Sequence, residues 1–193
     1  MEKYITLAQP SEGNYRERGS KFLAFAYPVE NETMVKTYLQ QLKKKYPDAA
    51  HHCYAYIYGY DPIQIKANDD GEPAHSAGTP ILNQLKAQQL HNVLVVVVRY
   101  FGGVKLGVSG LIQAYKTATI EALEAATLLE KQVEHLFEMQ FAYEKMNDIM
   151  KVVKQYQLTI LTQESDIFAC KIALKIPQKY YEEAVSLLSK AAL

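Results

Sequence analysis

The sequence predicts an α+β fold in two parts, on three observations. The segment "NVLVVVVRYFGG" is a continuous β-branched run without polar alternation, which is how a central strand covered on both faces reads. Amphipathic helical stretches lie on either side of it. From Val133 the pattern restarts as strand, helix, strand, strand and helix, the order of a small α+β sandwich lacking its last strand.

Residues 4–29 alternate apolar and polar positions and are broken by "PSEGN", so a strand, a turn and a second strand ending in "KFLAFAYPV" are expected as a meander. In "NETMVKTYLQQLKKKY", Asn31 is placed to cap a helix whose face carries Met34, Tyr38, Leu39 and Leu42, and Pro47 closes it. The stretch "HHCYAYIYGY" alternates strictly, with Cys53, Ala55 and Ile57 on one side and Tyr54, Tyr56 and Tyr58 on the other. After "DDGEPAHSAGTPILNQL" begins, Ile81, Leu82 and Leu85 continue a short helix that tolerates Pro80 in its first turn, where a missing N–H costs nothing. Beyond the central strand, Leu111, Tyr115, Ala118, Ala122, Ala125 and Leu129 recur every three or four residues, so a long helix is expected to pack on that strand. The first domain is expected over residues 1–130 and the second over 131–193, with a linker near Leu129–Gln132 too short for free domain motion. The second is read as a strand Val133–Tyr143, a helix to Tyr156, the strand "QLTILTQ", a turn at Glu164–Asp166, the strand "IFACKIALKI" and a helix after Pro177.

Composition narrows the function. The 193 residues are 49% hydrophobic and 22% charged, enough for a sizeable core. Lys and Arg total 21 and Asp and Glu total 21, with no basic tail, which argues against nucleic-acid binding driven by bulk positive charge. The two cysteines, Cys53 and Cys170, have no CxxC spacing, so neither a disulfide framework nor a zinc knuckle is indicated and a reducing cytoplasm is the expected compartment. The longest aliphatic run, Val93–Val98, is far too short to cross a bilayer, so no membrane insertion is expected.

Two motifs carry chemistry. Asp69, Asp70 and Glu72 place three carboxylates within four residues, with His75 close behind. Such a set could hold a divalent ion or supply a general acid, giving a metal-assisted hydrolase; equally, Asp, Gly and Pro make a solvated turn whose acids favour the positive end of the following helix. The EF-hand spacing is absent, and no metal or other cofactor is assigned.

The second motif is "RYFGGVKLGVSG", residues 99–110, between a buried strand and a helix, where phosphate loops sit. Gly102 and Gly107 have the Walker interval, but Val108 stands at the lysine position, so the nucleotidase reading fails. Leu111 stands where a nucleophile elbow needs its second glycine, so Ser109 is not a hydrolase serine. What survives is an anion or RNA site from Arg99, Tyr100, Gly102, Gly103, Lys105, Gly107 and Ser109, set against the alternative that the glycines only allow close helix–strand packing. His51 and Cys53 share a strand face without a second ligand pair, a weak zinc pattern. The tyrosine row could stack bases but is more simply covered by a helix.

"DDGEPAHSAGTPIL" and "VVVRYFGGVKLGVSGLIQAY", two unusual motifs in this order, resemble the pattern of the IMPACT family in its bacterial branch, and the resemblance extends over nearly the whole chain. It implies an N-terminal domain like domain 2 of ribosomal protein S5, followed by a small ferredoxin-like domain similar to the last domain of elongation factor G. Three positions depart from the family pattern. A Ser-Gly-Thr triplet usually stands where Ala74, His75 and Ser76 are, a glycine at Ser109, and commonly an arginine at Gln113, so a cation beside the loop is lost. The eukaryotic members are translational regulators that compete for a ribosome-associated activator of a stress kinase, largely through an extra N-terminal domain; nothing in this sequence resembles that domain, so that partner is not carried over. The expected function is a binding protein of the translation apparatus, contacting RNA or a ribosome-associated protein, with the metal-assisted hydrolase as the competing reading and the oligomeric state left open.

Overall fold

In the computed structural model, which describes residues 1–193, the chain runs β1 (Lys3–Leu7), β2 (Ser11–Glu17), β3 (Ser20–Pro28), α1 (Glu32–Lys45), β4 (His51–Tyr58), β5 (Gln64–Asn68), α2 (Gly78–Ala87), β6 (Val93–Tyr100), α3 (Gly107–Glu124) and β7 (Leu128–Gln132). It continues with β8 (Glu134–Phe141), α4 (Met146–Gln155), β9 (Thr159–Ser165), β10 (Cys170–Pro177) and α5 (Tyr181–Ser189). The contacts divide it into two units, Tyr4–Lys131 and a second made of Met1–Lys3 with Gln132–Leu193. The fold is α+β, and no helix is long and apolar enough to cross a membrane.

The first unit is built on an antiparallel sheet of order β2-β3-β6-β4-β5, with the β-branched run at its centre. Val93 to Val98 are all fully buried because both faces are covered. On one face Ala24, Cys53, Ala55, Val95 and Val97 pack with Ile81 and Leu85 of α2 and with Leu111, Tyr115 and Ala118 of α3. On the other, Phe25, Leu94, Val96 and Val98 pack with Val35 and Leu42 of α1, and Tyr54, Tyr56 and Tyr58 lie partly buried against this cluster. The tyrosine row is therefore helix-covered core margin. Asn31 caps α1 by accepting the Met34 N–H at 3.0 Å, and Lys43, Lys44 and Lys45 occupy its last turn, complementing the helix dipole.

Three local expectations are corrected. "PSEGN" is not a turn between two meander strands: Ser11–Asn14 belong to β2, while β1 pairs with β7 in a separate two-stranded sheet. Gly13 is there for a close approach, since a Cβ on it would lie 2.3 Å from the Ala122 nitrogen of α3, and the adjacent Ser11 Oγ donates to the Ala122 carbonyl at 2.7 Å. The long helix stops at Glu124, and Leu129 and the supposed linker lie on β7. The edge strand β5 escapes a hydrophobic-pattern reading because most of "QIKAN" is exposed.

In the second unit, β8-β10-β9 form an antiparallel sheet. Phe141, Ile172, Leu174 and Ile176 on one face pack with Ile149 of α4 and Leu188 of α5. The last residues reach the open edge of β8, where Ala192 bridges Phe141 and the Leu193 N–H donates to the Gln140 carbonyl at 3.0 Å.

Replacing Gly13 with Ala should force α3 and β2 apart and lower stability by about 1–3 kcal/mol, the range for overpacking a tight contact. Urea unfolding of the variant reads this as a lower midpoint with an unchanged slope.

Candidate functional site

Strand register sets the site. Phe22 of β3, Arg99 of β6 and His51 of β4 stand in one row across the sheet, on the face covered by α2 and α3. Arg99 is only 5% exposed, so burying its charge requires a partner. Glu72, 9% exposed, supplies it: Oε1 accepts from Arg99 Nη1 at 2.5 Å and from the Tyr115 hydroxyl of α3 at 2.7 Å. The guanidinium carbon also lies 5.4 Å from the Phe22 ring centre and 5.7 Å from that of Phe101. His51 Nδ1–H donates to the Asp70 carbonyl at 2.7 Å, leaving Nε2 3.8 Å from Glu72 Oε2.

The acidic loop exists to deliver Glu72. Asp69 Oδ1 accepts the Ala77 and Gly78 N–H groups at 3.1 and 2.8 Å, capping α2 from a distance, and Oδ2 accepts the His75 N–H at 2.9 Å. Asp70 Oδ2 accepts the His52 N–H at 2.6 Å. His75 is exposed, with Nδ1 3.2 Å from Thr79 Oγ1. The three carboxylates and His75 thus face separate partners and form no common donor set, and no group of three metal-ligating side chains converges in the molecule. The hydrolase reading loses its constellation. The weak zinc pattern of His51 and Cys53 dissolves too: the Cys53 S–H donates to the Asp69 carbonyl at 3.0 Å with Tyr115 Oη 3.3 Å from the sulfur, and His51 Nδ1–H is held by the Asp70 carbonyl. Burial pushes the Cys53 thiol and the Tyr115 hydroxyl far above their usual ranges, so both stay protonated hydrogen-bond donors.

The glycine loop splits into parts with different work. Arg99 is not a free cation, because Glu72 neutralises it. Tyr100 points to the α1 face and donates to Asp48 Oδ1 at 3.0 Å, away from the loop. Gly102 serves packing, since a Cβ there would meet the Gly19 carbonyl carbon at 2.0 Å. Gly103 and Gly107 have φ of +87° and +74° with open space where a Cβ would stand. Lys105 and Ser109 are exposed, and Lys105 enters no ion pair. Helix α3 starts without a side-chain cap or an acid in its first turn, so its leading N–H groups have no side-chain acceptor. Of the loop residues, Arg99, Lys105 and Gly107 line a cavity of about 360 Å³ together with Glu72 and the apolar walls Phe101, Val108 and Leu111, whereas Tyr100, Gly102, Gly103 and Ser109 do not. Tyr115, His51, Phe101 and Val108 were not assigned to the site from sequence. The signal was available for one link: an Arg ending a fully buried strand demands a carboxylate.

A family model described as the Impact N-terminal domain matches residues 18–123. The chain belongs to the IMPACT family. The IMPACT family member YvyE of Bacillus subtilis is 32% identical over 160 residues, covering 83% of this chain and 74% of that protein. The family member YigZ of Escherichia coli is 31% identical over 170 residues, covering 87% and 83%. A crystal structure described as that of a hypothetical protein aligns with a TM-score of 0.77 at 29% identity, over 98% of this chain and 93% of its own, so it shares the α+β fold. His75 has a φ of +63°, a left-handed conformation that glycine adopts freely and other residues adopt at a cost.

Breaking the buried pair with Arg99→Ala or Glu72→Ala should each cost about 3–5 kcal/mol, because the remaining charge is left without a partner. The double variant Glu72→Leu/Arg99→Met should recover much of that loss in a denaturation cycle; equal and additive losses would contradict the pairing. His75→Gly should raise stability by up to about 1 kcal/mol, read as a higher denaturation midpoint, because it relieves the left-handed conformation.

Proposed function

We propose that this IMPACT-family protein is a non-catalytic binding protein of the translation apparatus, and that the mouth at the start of α3 is its contact surface. Of the two expected partners, RNA or a ribosome-associated factor, the geometry favours the protein factor. The observation that carries this is the lining of the mouth: Phe101 and Val108 are about half exposed, 53% and 52%, while Arg99 is spent on Glu72 and Lys105 is the accessible cation among the lining residues. An RNA backbone is held by rows of cations that release counterions, whereas exposed apolar walls around a few polar groups suit a protein. The zero net charge points the same way.

The test is co-sedimentation with ribosomes from native lysate across a salt series, for the parent chain, Val108→Asp and Lys105→Ala. The expected outcome is association that Val108→Asp abolishes, that Lys105→Ala weakens severalfold, and that changes little with salt. A steep salt dependence of the parent would assign the contact to RNA, and association unchanged by both substitutions would remove the mouth from it.

A further inference from the structure

The mouth carries polar capacity that its apolar walls do not use. The leading amides of α3, an 18-residue helix, have no side-chain cap and no acid in the first turn, and the one carboxylate in the cavity, Glu72, is held by Arg99 and Tyr115. Arg99, 95% buried, lines the same cavity and spends Nη1 on Glu72, but its Nε has no hydrogen-bond partner, an uncommon state for a buried donor. Lys105 stands exposed at the rim. Gly107, in the lining, leaves open space where a side chain would stand over the backbone.

Together these describe a site for one negative group joined to one apolar group. We infer that the mouth captures the free C-terminal carboxylate of a partner polypeptide whose last residue is large and apolar. The carboxylate sits on the α3 amides beside Lys105, above the Arg99 guanidinium, and the last side chain lies against Phe101, Val108 and Leu111. Backbone amides and a helix N-terminus are a known means of holding such a terminus.

Charge decides against the nearest alternatives. A phosphate monoester brings nearly two negative charges beside buried Glu72, and a nucleic-acid strand brings a series of phosphates to a mouth with one accessible cation. A small free acid would be enclosed over most of its surface, whereas Phe101 and Val108 remain half exposed, as they do around the end of a chain that continues into solvent. This inference deepens the binding reading above and names what the protein factor presents.

The experiment titrates four probes into the isotopically labelled full chain and follows the Gly107 to Gly110 amide resonances. The probes are the N-acetylated tripeptide Ala-Ala-Phe with a free carboxylate, its C-terminal amide, phenylacetate, and a uridylate decamer. The free-carboxylate peptide should shift these resonances; the amide should bind at least about ten-fold more weakly, because the charge-assisted bonds are lost. Val108→Asp should weaken the peptide by at least a similar factor, and Lys105→Ala should weaken it severalfold if Val108→Asp fails to give a folded spectrum. Absence of shifts with the peptide, or equal affinity for acid and amide, overturns the inference. Phenylacetate binding as tightly as the peptide would reassign the site to free small acids, and tighter binding of the decamer at the same amides would reassign it to RNA; both overturn it. Loss of ribosome co-sedimentation with peptide binding intact would instead sink the translation reading alone.

Discussion

The buried contact between Arg99 and Glu72 is the constraint around which the first unit is arranged. Strand β6 presents six fully buried aliphatic residues and then a guanidinium at almost the same depth. A charge there is tolerable only with a carboxylate brought to it, and Glu72 arrives on a loop whose shape the neighbouring acids fix. Asp69 ties that loop to the first amides of α2, Asp70 ties it to β4, and Tyr115 ties Glu72 to α3. Four elements are thereby locked to one ion pair, and each acid of the loop has a structural partner.

The same contact bears on the recognition proposed for the loop at the start of α3. With its guanidinium neutralised, Arg99 offers little long-range field, so the proposed recognition rests on short-range donors, Lys105 and exposed apolar walls. A site of this kind discriminates by shape and by pairing a single charge. It would gain little from the electrostatic steering that helps basic proteins find nucleic acid.

The second unit follows a plainer logic. One sheet face is apolar and covered by α4 and α5, and β10 is the central strand, mostly buried and paired with β8 and β9 on its two sides. The last two residues of the chain begin to pair with the edge of β8, so backbone polar groups there find partners without a full fourth strand.

The sequence by itself determined the α+β class, the central strand, the cap of α1, the helix-covered tyrosines and the family, because each is written in local periodicity or in short contiguous motifs. Tertiary structure alone decided that Gly13 lies in a strand, that Leu129 lies in β7, and that Arg99 is spent on Glu72. In each case the cause is a neighbour distant in sequence: the backbone of α3 against Gly13, β1 alongside β7, a carboxylate twenty-seven positions before its arginine. Spacing rules carry no record of such neighbours. The polar run from Pro10 to Asn14 therefore read as a turn, and a buried cation read as a free one, until the tertiary structure placed their partners.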